Sequence, residues 1–213
     1  QFSKPECETT YRCKATVGET VYYSDEVTIE QEHSYTCTAT SDNVITKECA
    51  NCGKSGTLTI TAEGGIYDGT TAYGATVEKT GILENEEVTV NYYQGDTLIG
   101  TEAPVDAGTY TAKITYEGVT ASVTYTIKTK PTADMFTYTS SAVYDGTAKS
   151  ASVVARDDIT GVGEITNIKY YQNGTEVTPI NAGSYTVKID VAEGDDYAAD
   201  TDIEVGTFEI TKA

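Results

Sequence analysis

Ile66–Val77 reads IYDGTTAYGATV, and Val143–Val154 reads VYDGTAKSASVV. Two more pairs follow in the same order. VTVNYYQGDTLIG (Val88–Gly100) is answered by ITNIKYYQNGTEVT (Ile165–Thr178), and PVDAGTYTAKI (Pro104–Ile114) by PINAGSYTVKI (Pro179–Ile189). The spacing hardly changes: 77 residues from Tyr67 to Tyr144, 78 from Tyr93 to Tyr171, 75 from Tyr110 to Tyr185. Order, spacing and identity kept together mark an internal repeat.

Each copy reads as β. Apolar and polar residues largely alternate in Val88–Tyr92 and Thr109–Tyr116, the period of a strand with one buried face. Gly95-Asp96 and Asn173-Gly174 follow a Tyr-Tyr-Gln strand end, and Asn-Gly suits a type I′ hairpin turn because both central residues need positive φ. Tyr-Asp-Gly-Thr at 67–70 and 144–147 reads as a turn, with the Asp accepting backbone N–H groups and the Gly at positive φ. The alternative is a ligand loop. Asp106-Ala107-Gly108-Thr109-Tyr110 and Asn181-Ala182-Gly183-Ser184-Tyr185 look like the tyrosine corner of Ig-type sandwiches, the alternative being an ordinary turn-to-strand junction. Lys128-Thr129-Lys130-Pro131-Thr132 reads as a linker stiffened by its proline.

Composition points the same way. Apolar residues make up 38%, under the ~45–50% usual for globular domains, so the cores are expected to be thin. With 17 Tyr against 3 Phe and no Trp, many rings can pack while their hydroxyls reach water. The formal charge of -19, from 14 basic and 33 acidic residues, repels phosphate backbones and anionic lipid heads, which argues against nucleic-acid and membrane-surface partners. No apolar run approaches the ~18 residues of a membrane span. The sequence opens at Gln1 and closes on FEITKA. It reads as an interior piece of a longer chain, with export signal and anchor outside it.

All 5 cysteines and the single histidine fall within residues 1–56: Cys7, Cys13, His33, Cys37, Cys49 and Cys52. Cys49-Ala50-Asn51-Cys52-Gly53 has the C-x-x-C-G form of a zinc knuckle, in which two thiolates reach one ion and the glycine lets the chain turn. A tetrad would draw on Cys7, Cys13, Cys49 and Cys52, with His33 as substitute. The competing reading is disulfides: Cys37 opposite Cys49 across a three-residue loop at 42–44, and Cys7 with Cys13 around a small loop. Both readings give a clip for a ~55-residue module too small to hold itself by burial. Catalytic constellations are not found. Cys37 and His33, at i and i+4, would lie ~13 Å apart on a strand. The acidic pairs Asp157-Asp158 and Asp195-Asp196 read as solvated loops, with a weak Ca²⁺ site as the alternative.

The pattern YDGT … YYQ … DAGTYT resembles the MBG/YDG-type tandem repeats of bacterial cell-surface proteins, over about residues 57–213. The stretch Cys7…Tyr11-Arg12-Cys13…Tyr22-Tyr23…His33-Ser34-Tyr35 is similar to short cysteine/histidine-containing repeats of the same kind of protein. Those often carry C-x-x-C after the tyrosine, and here Cys13-Lys14-Ala15-Thr16 lacks the second cysteine. The resemblance implies an extracellular location on a bacterial surface, a stalk or adhesion role, and no catalytic residues. The expected architecture is all-β: a small Cys/His-containing β module (1–56) and two Ig-like antiparallel β-sandwich repeats (57–130 and 131–213), with β-grasp-like repeats as the alternative. The expected function is a non-catalytic stalk, spacer or adhesion segment requiring no cofactor beyond a structural Zn²⁺ at most. The alternatives are a module that binds a host glycoprotein or glycan, with Tyr92-Tyr93 and Tyr170-Tyr171 stacking on sugars, and an accessory module of a secreted enzyme.

Overall fold

The computed structural model describes residues 8–30 and 32–212. Among them every regular element is a strand apart from two single 3-10 turns, Gly81–Leu83 and Ala133–Met135. Thr, Val and Tyr side chains fit a pleated, half-buried surface. A β-grasp needs a helix on its sheet, and the described residues contain none.

In chain order the strands are β1 (Glu8–Tyr11), β2 (Lys14–Val17), β3 (Thr20–Tyr23), β4 (Val27–Glu30), β5 (Tyr35–Ser41), β6 (Val44–Cys49) and β7 (Ser55–Ala62). Then come β8 (Gly65–Ile66), β9 (Ala75–Lys79), β10 (Asn91–Gln94), β11 (Thr97–Gly100), β12 (Gly108–Tyr116) and β13 (Val119–Lys128). The last seven are β14 (Phe136–Tyr138), β15 (Ser141–Val143), β16 (Val153–Ala155), β17 (Ile165–Gln172), β18 (Thr175–Glu176), β19 (Gly183–Val191) and β20 (Asp200–Thr211). The described residues form two compact units. One takes in residues 8–30, 32–63, 74–103 and 110–125, the other residues 64–73, 104–109 and 126–212.

In the first unit the chain begins with two nested antiparallel pairs, β2 with β3 inside β1 with β4. Residues 10–29 are exposed throughout. A two-stranded hairpin without a buried face is marginal in water. Its backbone amides should therefore exchange with deuterium far faster than those of β19 and β20, and hydrogen exchange read by NMR checks this. Next is a four-stranded antiparallel sheet in the order β5-β6-β7-β9. Strand β6 pairs with β7 from Val44↔Thr59 to Glu48↔Ser55. The sheet thus runs straight across the 56/57 boundary expected from the sequence, and the β5–β6 hairpin of the cysteine module is hydrogen-bonded to the first strand of the first repeat. Ile45, Leu58, Ile60 and Leu83 are fully buried beside it.

In the second unit β14 pairs with β16, and the remaining strands of the second repeat form a five-stranded sheet. Phe136 and Val153 from the small sheet share one core with Tyr170, Tyr185, Val187, Ile189, Phe208 and Ile210 from the large one, so the unit contains a two-layer β-sandwich. The linker is strapped down: Thr129 bridges to Tyr197, Lys128 pairs with Glu193 at 2.6 Å and Lys130 with Asp200 at 2.9 Å.

The matched blocks occupy matching places. One five-stranded sheet has the order β11-β10-β12-β13-β8, and the other, read in the same sense, β18-β17-β19-β20-β15. The YDGT block follows β8 in one and β15 in the other, YYQ ends β10 and β17, and the Gly-Thr/Ser-Tyr corner opens β12 and β19. The first strand of each copy is split. Its first half pairs antiparallel in the small sheet (β7 with β9, β14 with β16), and its second half joins the large one. That second half pairs in parallel: β8 with β13, β15 with β20. The otherwise antiparallel large sheets thus each carry one parallel pair at an edge. A strand that crosses between layers arrives beside the last strand pointing the same way.

The local expectations can be read in the same geometry. Asn173 and Gly174 have φ of 53° and 80°, as a type I′ turn requires. Tyr185 donates its hydroxyl to the Asn181 carbonyl at 2.7 Å, closing a tyrosine corner, and Tyr110 is buried at the equivalent place. Tyr185→Phe should lower stability by about 1 kcal/mol. A shifted urea midpoint at unchanged slope is the expected reading.

Candidate metal centre

The cysteine region folds around the register of β5 and β6. Tyr35 faces Cys49 and Cys37 faces Lys47, with an irregularity between Ala39 and Ser41 and Ser41 opposite Val44. The turn holds two residues, Asp42 and Asn43, in place of the three expected. Cys37 and Cys49 are consequently two positions out of register, and neither of them nor Cys13 is in a disulfide. The expected Cys37–Cys49 bridge is absent, and Cys13 is not bridged. Cys7 lies outside the described residues. Cys52 is disulfide-bonded.

Cys49 ends β6 and Cys52 sits in the turn that follows. The amide of Gly53 donates to the Cys49 carbonyl at 2.8 Å, and the Cys49 amide donates to the Lys54 carbonyl at 2.8 Å. Gly53 has φ of 75°, the left-handed conformation that closes this knuckle. Two bonds bring the preceding segment over it: Ala50 N–H to the Ser34 carbonyl at 2.8 Å, and the Asn51 side-chain amide to the Glu32 carbonyl at 2.6 Å. They carry His33 to the knuckle, where its Nδ1 lies 3.7 Å from Cys52 Sγ. The imidazole stacks on Tyr35 with centroids 5.1 Å apart. One ligand atom from each of His33, Cys49 and Cys52 lies within 4.8 Å of the others.

Burial by itself would raise the Cys49 thiol pKa. Hydrogen bonds to its sulfur from the Cys52 amide, the His33 ring and the amides of Asn51 and Ser34 outweigh it, and bring the thiol down to about 7. A sulfur so solvated favours the thiolate, the form that binds metals. Cys37 is the opposite case. Burial, then the hydrogen bond and charge of Glu117, push its thiol up to about 11. It donates to Glu117 at 3.1 Å. Glu117 also pairs with Lys47, and that ion pair holds the Glu117 carboxyl below its usual range.

The sequence-derived set is therefore gathered in part. Cys49 and Cys52 come together with His33, while Cys13 lies elsewhere, its amide bound to Ser24 Oγ at 2.8 Å. The other candidates go to packing and turns. Asp158 makes a two-pronged pair with Arg156 at 2.9 and 3.0 Å. Asp68 accepts the amides of Thr70 and Thr71 at 2.8 and 2.7 Å, and Asp145 accepts that of Thr147 at 2.9 Å, the turn role expected of YDGT. In each tyrosine pair the first ring is buried, and its hydroxyl accepts an amide from the segment entering the facing sheet: Ala75 N to Tyr92 at 3.0 Å, Ala151 N to Tyr170 at 2.6 Å. The second ring carries a lysine over one face, Lys113 on Tyr93 at 4.5 Å and Lys188 on Tyr171 at 5.2 Å. No sequence signal had marked these hydroxyl pegs, although the repeated Tyr-Tyr pair was their trace.

No family model, no curated protein and no solved structure matches this chain. Among the described residues no helix is long and apolar enough to cross a membrane.

Proposed function

We propose that this chain is a non-catalytic, tension-bearing stalk segment of a larger bacterial cell-surface protein, whose repeats hold a distal part away from the wall. The observation that carries this reading is the parallel pairing of the entering and leaving strands in both copies. Ser141–Val143 lie beside Glu209–Thr211, and Gly65–Ile66 beside Ile127–Lys128. When parallel neighbours are pulled by opposite ends, they slide along their common axis. Every hydrogen bond between them is then loaded together, whereas an antiparallel terminal pair would open one bond at a time.

The resemblance to tandem surface repeats supports the location, and the acidic charge suits a segment that stays apart from other anionic surfaces. The tyrosine pairs are engaged in packing, which weighs against a glycan platform. Pulling the whole chain by its two ends tests the proposal. Two cooperative ruptures are expected, each releasing about 75 residues whose extended contour is roughly 250 Å at ~3.4 Å per residue, less the span of the folded repeat. Gradual extension without rupture peaks would overturn the stalk reading.

A further inference from the structure

We propose that His33, Cys49 and Cys52 form a zinc site that the redox state of Cys52 opens and closes. Three features of the geometry point to it. The ligand atoms already converge to within 4.8 Å. The His33 Nδ1 to Cys52 Sγ separation of 3.7 Å is close to the ~3.6 Å that Zn–S of about 2.3 Å and Zn–N of about 2.05 Å give at the tetrahedral angle. The knuckle is also arranged for a thiolate, because the amides of Asn51 and Cys52 point back at the Cys49 sulfur. Such outer hydrogen bonds orient and stabilise a metal-bound sulfur. Nitrogen and sulfur donors in a tetrahedral arrangement suit Zn²⁺ over the harder Mg²⁺ and Ca²⁺.

In its disulfide the Cys52 sulfur has no thiolate to offer. A thiol reductant, two molecules of R–SH, breaks that bond. The protein gains two thiols, and the reductant leaves as R–S–S–R. Zn²⁺ then replaces the protons of Cys49 and Cys52, releasing two H⁺, and takes the neutral His33 nitrogen as third ligand. The fourth position is open to water. Disulfide and metal are therefore mutually exclusive states of the Cys52 sulfur. The coupling runs both ways: bound Zn²⁺ shields the Cys52 thiolate from reoxidation.

The test is metal content of the whole chain after incubation with Zn²⁺ and gel filtration, in reduced and oxidised forms. It is repeated with Co²⁺, whose thiolate charge-transfer and d–d bands count sulfur ligands and report tetrahedral geometry. Reduced protein should retain one Zn²⁺ per chain and show a two-thiolate tetrahedral Co²⁺ spectrum, and oxidised protein should retain none. Cys49→Ser with Cys52→Ser should abolish retention, and Cys13→Ser and Cys37→Ser should preserve it. His33 is exposed, so His33→Ala cannot fail through loss of core, and it should weaken binding at least tenfold in a chelator competition. Equal zinc in oxidised and reduced protein, zinc surviving in the Cys49→Ser/Cys52→Ser protein, or no zinc in the reduced wild type would each overturn the proposal.

Discussion

Phe208→Ala should destabilise the second repeat by about 3–5 kcal/mol, the range for emptying a closely packed aromatic site. Phe208 is completely buried. It lies opposite Tyr185 on the neighbouring strand, and its ring centroid is 5.8 Å from that of Tyr170. Neither neighbour is free to collapse into the space. The Tyr170 hydroxyl holds the Ala151 amide at 2.6 Å, and the Tyr185 hydroxyl is fixed on Asn181. The cavity would thus stay open, which places the cost at the high end of the range. Domains of this size are stable by only about 5–15 kcal/mol, so the variant should sit near its unfolding midpoint in mild denaturant. Val143→Ala, at a 59% exposed position, should stay within about 0.5 kcal/mol of the parent. Urea unfolding read by tyrosine fluorescence, with amide exchange of β19 and β20, would register both. A loss under 1 kcal/mol for Phe208→Ala would mean that the two layers do not share this core.

What the sequence made legible was local. The period-2 strands, the Asn173-Gly174 turn, the Asp68 and Asp145 turns and the Tyr185 corner each rest on residues a few positions apart, and their chemistry can be read from those residues alone. Pairing between distant strands could not be read. Alternation looks the same in parallel and antiparallel neighbours, so nothing in Ser141–Val143 announced a parallel partner at Glu209–Thr211. Nor did the residues of Val44–Cys49 reveal that their next neighbour is Ser55–Ala62. The cysteines show the same limit more sharply. The two-residue turn and the irregularity between Ala39 and Ser41 together put Cys37 opposite Lys47, and they separated two residues that a simple three-residue loop would have joined. The knuckle Cys49–Gly53 was legible as a local motif. Its partnership with His33 depends on hydrogen bonds that Ala50 and Asn51 donate to the Ser34 and Glu32 carbonyls, which no spacing rule supplies.

That the repeats carry tension is tested most directly at the terminal strand pairs. The Tyr144 amide donates to the Thr211 carbonyl at 2.9 Å and the Glu209 amide to Ser140 at 2.8 Å; in the first copy the Tyr67 amide donates to Lys128 at 2.8 Å. Proline at 144 or 67 removes one of these donors and leaves the hydrophobic core untouched. Forced unfolding follows the barrier to unfolding and is less sensitive to equilibrium stability. A bond in the shearing pair should therefore count for far more under tension than in urea. The decisive measurement is single-molecule pulling of the whole chain by its ends, comparing wild type with Tyr144→Pro and Tyr67→Pro. The account predicts two rupture peaks in the wild type, and in each variant one peak shifted to clearly lower force while the other is unchanged. Rupture forces unaltered by both substitutions, or wild-type repeats that open without a force peak, would contradict it.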